Sequence, residues 1–245
     1  MNQAYETLVS MAKRFETDPN VCCLLGLGSM SELSRMDQYS DMDFFLIVED
    51  GFKETYIKDL SWFGKEIVFS FQNTKDGYKV LFADGVFAEF AVFIQSEMPH
   101  IGFTKGKVYY AKPGFDLSIV EPKQLKPKKP LNQDFNINEA LTNLYVGVLR
   151  EKRGEHASAF TFIQVYAADL IMRLFEDLFV AADTLDDYYV FERRIEFKYQ
   201  ESKKILSGLK QGYDKNLESA LFALEFLNLH YSVNQAMVIK IKSLI

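Results

Sequence analysis

The sequence predicts an α+β protein, in which an N-terminal mixed β-sheet domain with helices on one face is followed by a C-terminal α-helical bundle. Three observations carry that prediction. Up to about Asp116, short apolar runs bounded by turn residues alternate with helix-like stretches. Beyond Pro130 the apolar residues recur at helical spacing, as in Ile137, Leu141, Leu144 and Val148. Between these halves, Pro113–Pro130 carries a Lys-Pro-Lys-Lys-Pro string with the composition of a linker. The expected boundaries are residues 1–118 for the first domain, 119–131 for the linker and 132–245 for the bundle.

In chain order, a helix near Gln3–Phe15 precedes Val21–Leu27, an apolar run of strand length. Gly28–Ser31 reads as a turn that opens a short helix reaching toward Met36. A strand over Met42–Val48 and a helix over Lys53–Phe63 follow. Three more strands are expected at Lys65–Gln72, Tyr78–Phe82 and Val86–Ile94, with Gly77 and Asp84-Gly85 at tight turns and the last two strands forming a hairpin. In the second half, Asn136 or Asn138 is a candidate cap for the first helix. The next helix, His156 to about Ala182, lines up Phe160, Ile163, Ala167, Leu170, Leu174 and Phe175 along one stripe. Helices near Phe191–Leu209 and Leu217–Leu244 complete the bundle.

The 245 residues are 48% hydrophobic and 25% charged, which suits a packed globular protein. A net charge of −6 argues against a general nucleic-acid binder, whose affinity needs a field of Lys and Arg. The 22 Phe and 13 Tyr residues are expected mainly in the core. Met1–Phe15 lacks the apolar segment of a secretory signal, and no uninterrupted apolar stretch has bilayer-spanning length. Cys22 and Cys23 are adjacent, which suits reduced thiols in a strand, one pointing inward and one toward a helix. A cytoplasmic location is the expectation.

The chemistry concentrates in one run: Gly28-Ser29, a variable stretch, then Ser40-Asp41-Met42-Asp43 leading into Phe44-Phe45-Leu46-Ile47-Val48. Carboxylates two residues apart on a strand face the same way, so Asp41 and Asp43 can grip a hard cation between them. The Gly28-Ser29 turn offers backbone N–H groups and a hydroxyl to phosphate oxygens, helped by the N-terminus of the expected helix. Ser40 is grouped with Gly28 and Ser29 as nucleotide-contacting. Together these features read as a Mg²⁺–triphosphate site, and hence as nucleotidyl transfer. A third carboxylate is expected from a neighbouring strand. Glu89 is the candidate, because a charge among Phe87, Phe90 and Phe93 is costly unless it meets a metal or a partner, and it can serve as general base.

Several other residues read as structural. Asp84 belongs to a turn, Trp62 closes a helix end, and His100 and His230 have no partner at metal-ligand spacing. Lys105, between Gly102 and Gly106, and Lys107, just after Gly106, belong to a Gly-spaced turn, and the lysines from Lys123 to Lys129 keep the linker solvated.

The pattern Gly28-Ser29, Asp41-Met42-Asp43 and Glu89 resembles the polymerase-β-type nucleotidyltransferase superfamily, and within it the lincosamide nucleotidyltransferase branch. Asp37-Gln38-Tyr39-Ser40-Asp41, Glu89-Phe90 and Arg153-Gly154-Glu155 follow that branch in the same order, so the resemblance spans most of the chain. It implies transfer of AMP from ATP to a hydroxyl of a small acceptor such as a lincosamide or aminoglycoside antibiotic. It also implies Mg²⁺ on Asp41 and Asp43, Glu89 as base, and a homodimer whose helical domains help build the acceptor pocket. Tyr145, Arg153 and Tyr166 are candidates to line that pocket. This chain departs from the pattern at Glu32-Leu33-Ser34-Arg35, where many members carry a second Gly; the loop is longer, and Arg35 can supply the missing phosphate contact. A protein-AMPylating, antitoxin-like regulator and a non-catalytic nucleotide-binding module stay open beside this reading. Arg150 followed by His156 also matches a permissive pattern of helical ribonuclease toxins, although the acidic chain suits RNA poorly.

Overall fold

The computed structural model describes residues 3–122, 132–182 and 191–245, and the chain divides into two compact units, Met1–Pro127 and Lys128–Ile245. The Lys-Pro-Lys-Lys-Pro string lies outside the described residues.

The first unit is built on a six-stranded sheet of order β3-β4-β5-β2-β1-β6. Its strands are β1 (Val21–Gly26), β2 (Met42–Val48), β3 (Ile67–Thr74), β4 (Gly77–Phe82), β5 (Phe87–Ile94) and β6 (Lys107–Ala111). Only β2 and β5 pair in parallel; the other pairs are antiparallel, so the sheet is mixed. One face is covered by α1 (Gln3–Phe15), which places Ala4, Leu8, Met11, Ala12 and Phe15 inward at helical spacing. These residues pack with Leu24, Phe44, Leu46, Val80, Phe90 and Val92 from the strands. The other face holds a smaller cluster in which Leu25, Ile47 and Phe93 meet Met98, Phe103 and Val120.

The structure corrects several expectations in this unit. β6 is a strand, although its residues read as following a turn. Its Lys107-Val108-Tyr109-Tyr110 run has no clean apolar–polar alternation, because an edge strand is buried on neither face completely. The helix expected over Lys53–Phe63 stops early, at α2 (Lys53–Lys58). Ser61 N donates to the Asp59 side chain at 2.9 Å, and this local turn competes with the helix. The following 3₁₀ turn Ser61–Phe63 drives Phe63 into the core, and the Trp62 indole donates to the Tyr56 carbonyl at 2.9 Å. Cys22 and Cys23 do not face opposite ways: a register irregularity between Val21 and Cys23 puts both in the same cluster as free buried thiols. Burial pushes them up to about 11 and about 12.

The second unit is helical. Asn132, rather than Asn136 or Asn138, caps α3 (Gln133–Lys152), its side chain accepting from Phe135 N at 3.0 Å. Arg153-Gly154-Glu155 ends that helix with Gly154 N bonded to Glu151 O at 2.9 Å and Glu155 N to Arg150 O at 3.0 Å. A helical rod, His156–Leu178, follows. It consists of α4 (His156–Phe160), a π-helical stretch over Thr161–Ala167, α5 (Ala168–Arg173) and α6 (Phe175–Leu178). Within the π stretch, buried Gln164 donates to Gly212 O at 2.7 Å and to Asn216 Oδ1 at 2.8 Å, and its own Oε1 accepts from Gly212 N at 2.9 Å. By length and composition the rod is long and apolar enough to cross a membrane, although Gln164, Asp169 and Arg173 interrupt its apolar run. Half of its apolar window is buried in the unit's core, and Ile163, Ala167, Ile171 and Phe175 are its inward residues.

The segment expected as one helix over Phe191–Leu209 is α7 (Ile195–Lys198) and α8 (Ser202–Leu209), broken at Tyr199, which is extended. The segment expected over Leu217–Leu244 is α9 (Asn216–His230) and α10 (Gln235–Lys242), separated where Asn234 caps the second by accepting from Met237 N.

Asp169 on α5 sits beside Glu192 and Lys210. Burial, reinforced by the neighbouring Glu192 carboxyl, pushes Asp169 up to about 6. The folded state therefore binds this proton more tightly than the unfolded chain, and the associated stability is lost as pH rises through that value. Asp169→Asn is expected to raise the melting temperature at about pH 7.5, with the gain vanishing by about pH 4. Thermal unfolding at the two pH values checks this; an equal gain at both, or a loss at the higher pH, excludes it.

Candidate active site

The sheet gathers most of the predicted residues at one end. Because β1 runs antiparallel to β2, with Gly26 opposite Phe44, the end of β1 abuts the start of β2. Because β5 runs parallel to β2, Glu89 falls directly opposite Asp43. Neighbouring strands lie about 4.8 Å apart, so the two carboxylates are adjacent on one face. One residue further on, Phe44 and Phe90 point to the opposite face and stack with centroids 5.4 Å apart. A one-residue slip of either strand would turn its own acid and its own ring to the wrong faces, so the ring pair holds the acids in register.

The Gly28-Ser29 turn lies against Asp43. Gly28 has φ +52°, and a Cβ placed there would sit 2.6 Å from Asp43 Oδ2. Leu27 N donates to Asp43 O at 2.8 Å, Ser31 Oγ to Gly28 O at 2.7 Å, and Tyr109 OH to Met30 O at 2.8 Å. Tyr109 comes from β6, and its ring fits because Gly26 has no side chain, a Cβ there meeting Tyr109 Cε2 at 2.5 Å. The sequence reading missed this support. The Tyr-Tyr pair after Gly106 was the available signal, since β-prone aromatics beside a glycine mark a strand.

The helix expected after this turn is absent. Two 3₁₀ turns, Gly28–Ser31 and Leu33–Arg35, are separated by Glu32 in extended backbone, so any phosphate contact comes from turn amides. The side chain of Arg35 lies outside the described residues. Ser29 Oγ is buried with no hydrogen-bond partner among the described residues. Such a hydroxyl is costly unless a ligand satisfies it, and a phosphate oxygen has the required chemistry.

Asp41 is exposed just ahead of β2, and Ser40 ends the turn that delivers it. Ser40 N donates to Asp37 O at 3.2 Å, and Ser40 Oγ accepts from Asp37 N at 3.0 Å, so its hydroxyl is committed to the turn. Among the described residues, no three His, Cys, Asp or Glu side chains converge at metal-holding spacing. Asp41 and Asp43 form a pair of hard oxygen donors. Such a pair suits Mg²⁺, which takes one or two carboxylates and completes its octahedron with phosphate oxygens and water.

Glu89 is partly exposed, with its side chain 44% accessible. Asn73 Nδ2 donates to its Oε1 at 2.8 Å, and Lys79 Nζ lies 3.3 Å from its Oε2. Neither partner was anticipated. Asp84 is structural as expected, paired with Lys65 and accepting from Val86 N at 3.3 Å. Arg150 and His156 are each tied to an acid, Glu155 and Glu151 respectively. In the second unit Tyr145 is half-buried against the helical core, while Tyr166 and Arg153 are exposed.

Fold and site together define an α+β chain with two adjacent strand carboxylates, a third acid ahead of them, and a Gly-Ser turn packed on one of the pair. No family model matches the sequence, and no curated protein matches it. Among solved structures, the chain is similar to an aminoglycoside 6-adenyltransferase from Bacillus subtilis, at 14% identity and a TM-score of 0.40 over 100% of this chain and 99% of that one. It is also similar to a nucleotidyltransferase-like protein from Exiguobacterium sibiricum, at 11% identity and a TM-score of 0.32 over 98% of this chain and 77% of that one. A spectinomycin adenyltransferase from Enterococcus faecialis, solved with ATP and spectinomycin, aligns at 15% identity and a TM-score of 0.32 over 100% and 98%. Similarity at this level assigns no chemistry, and the reading of the site rests on the chain's own residues.

Proposed function

We propose that this protein is a Mg²⁺-dependent nucleotidyltransferase that moves AMP from ATP to a hydroxyl of a small acceptor, a lincosamide or aminoglycoside. The observation that carries the reading is the Asp43–Glu89 register with the Gly28-Ser29 turn packed on Asp43. In this reading Asp41 and Asp43 hold the metal, which when bound draws negative charge from the triphosphate. Gly28 and Ser29 take a phosphate, with the unpartnered Ser29 hydroxyl as donor, and Ser40 shapes the turn that presents Asp41. Glu89 accepts the proton of the acceptor hydroxyl as that oxygen bonds to the α-phosphorus and pyrophosphate departs.

Residues 1–118 then form the donor domain, 119–131 the linker, and 132–245 the acceptor-binding and dimerisation domain. Tyr145, Arg153 and Tyr166 are proposed to line the acceptor pocket in a cytoplasmic homodimer. The test is incubation with α-labelled ATP, Mg²⁺ and a panel of lincosamides and aminoglycosides. Label on an antibiotic supports the reading. Label on protein from a lysate favours an AMPylating regulator, and unchanged ATP throughout favours a non-catalytic module.

A further inference from the structure

Glu89 is held by two residues that the transferase reading leaves without a role. Asn73 lies on β3, the outermost strand, and reaches past β4 to donate to Glu89 Oε1 at 2.8 Å. It does so from an irregular position: the β3–β4 register shifts between Gln72 and Thr74, with Asn73 at the shift. Such irregularities re-aim single side chains. Asn73 Oδ1, at the other end of the amide, is buried with no partner among the described residues. Turning the amide over would set its oxygen against a carboxylate oxygen, so the donor faces Glu89 and the oxygen goes unsatisfied. A buried orphan of this kind is tolerated where the opposite bond matters. Lys79 stands directly across from Glu89 in the β4–β5 register and places Nζ 3.3 Å from Oε2.

We infer that Asn73 and Lys79 are positioning residues that clamp the Glu89 carboxylate, one on each oxygen, so that its remaining lone pairs point at the acceptor hydroxyl. The inference rests on the proposal that Glu89 is the general base. An ionised carboxylate has about four lone-pair sites, so two such contacts leave capacity for the proton it must receive. Neither clamp residue touches the reacting atoms; both act through Glu89. The bulge and the orphaned amide oxygen are what separate this arrangement from an ordinary surface ion pair.

The test uses the full chain with Asn73→Ala, Lys79→Met and Lys79→Arg, each also made in a Glu89→Gln background. With an accepted antibiotic, kcat is expected to fall about 10- to 100-fold in Asn73→Ala and Lys79→Met, because a misplaced base loses its near-attack geometry. KM for ATP should stay within about twofold, Lys79→Arg should restore most of kcat, and in Glu89→Gln the same changes should cost less than about twofold. Independently of activity, the ¹³Cδ resonance of Glu89, assigned from its loss in Glu89→Gln, should move in Asn73→Ala and in Lys79→Met. Unchanged kcat, equal losses in both backgrounds, or an unmoved resonance overturns the clamp. A wild-type protein inactive across the panel overturns the transferase reading instead, and the resonance then decides the clamp by itself.

Discussion

Asp43→Asn is expected to reduce label transfer from ATP by about 10³-fold, or roughly 4 kcal/mol of transition-state stabilisation, while leaving the fold intact. Asn preserves the volume of Asp but removes the charge and turns one acceptor oxygen into an NH2 donor. The loss would therefore report what the anionic carboxylate does. Asp43 is the acid most tightly built into the site: its backbone carbonyl accepts from Leu27 N, Glu89 stands across from it, and the Gly28 turn lies on its carboxylate. In the proposed reading that carboxylate holds the metal, and an amide is a poor substitute for a hard anionic donor. The same carboxylate can be reached from the other side. A methyl at Gly28 would sit 2.6 Å from Asp43 Oδ2 in backbone at φ +52°, so Gly28→Ala should displace the acid without altering its charge. Measuring transfer with α-labelled ATP, beside melting temperatures, checks both arms. Asp43→Asn retaining more than about a tenth of wild-type transfer, a loss of under about 1.4 kcal/mol, would remove Asp43 from the proposed machinery.

The strands of the first unit were legible because their apolar runs are short and bounded by turn residues. Glu89 was legible for a related reason: a charge among phenylalanines stands out. What the sequence could not supply was pairing. Asp43 and Glu89 meet through a parallel register between strands separated by β3 and β4 in the chain, and no local pattern encodes that. Asn73 and Lys79 were hidden for the same reason, since their meaning depends on what stands opposite them. The Gly28-Ser29 turn reads as opening a helix because Gly-Ser followed by polar residues is compatible with one. Extended Glu32 interrupts it, a backbone choice that propensity does not force.

In the second unit, helical periodicity located the apolar faces but overran the helix ends. His156–Leu178 stops short of Ala182, with Phe179 already extended. The break at Tyr199 carries neither Gly nor Pro; tertiary packing of its buried ring, edge-on to Phe175, takes the place of a local breaker. The π-helical stretch was likewise invisible. Gln164 falls within the apolar stripe on a helical wheel, four residues after Phe160, but no local pattern names its partners: it is buried and held by Gly212 and Asn216, far along the chain.

Phe44→Ala is expected to destabilise the first unit by about 3–5 kcal/mol, a large share of the roughly 5–15 kcal/mol that holds a typical domain folded. Phe44 is 1% exposed and sits at the centre of an aromatic cluster, stacked on Phe90 and edge-on to Phe63 and Trp62. Its removal leaves a ring-sized void that the paired strands cannot collapse into without breaking their ladder. Phe44→Leu, which refills most of the volume, should cost less than about 1.5 kcal/mol. Urea unfolding followed by tryptophan fluorescence reads this unit directly, because Trp62 is the only tryptophan in the chain and its ring centroid lies 6.3 Å from that of Phe44. A loss below about 1 kcal/mol would mean that the stack is not what holds the sheet centre together. Phe44 also separates two contributions to activity. It touches neither carboxylate through its ring, yet it follows Asp43 in β2 just as Phe90 follows Glu89 in β5. Under conditions where the variant remains folded, transfer should still fall, because without the stack the two strands can shift and the carboxylates lose their shared register.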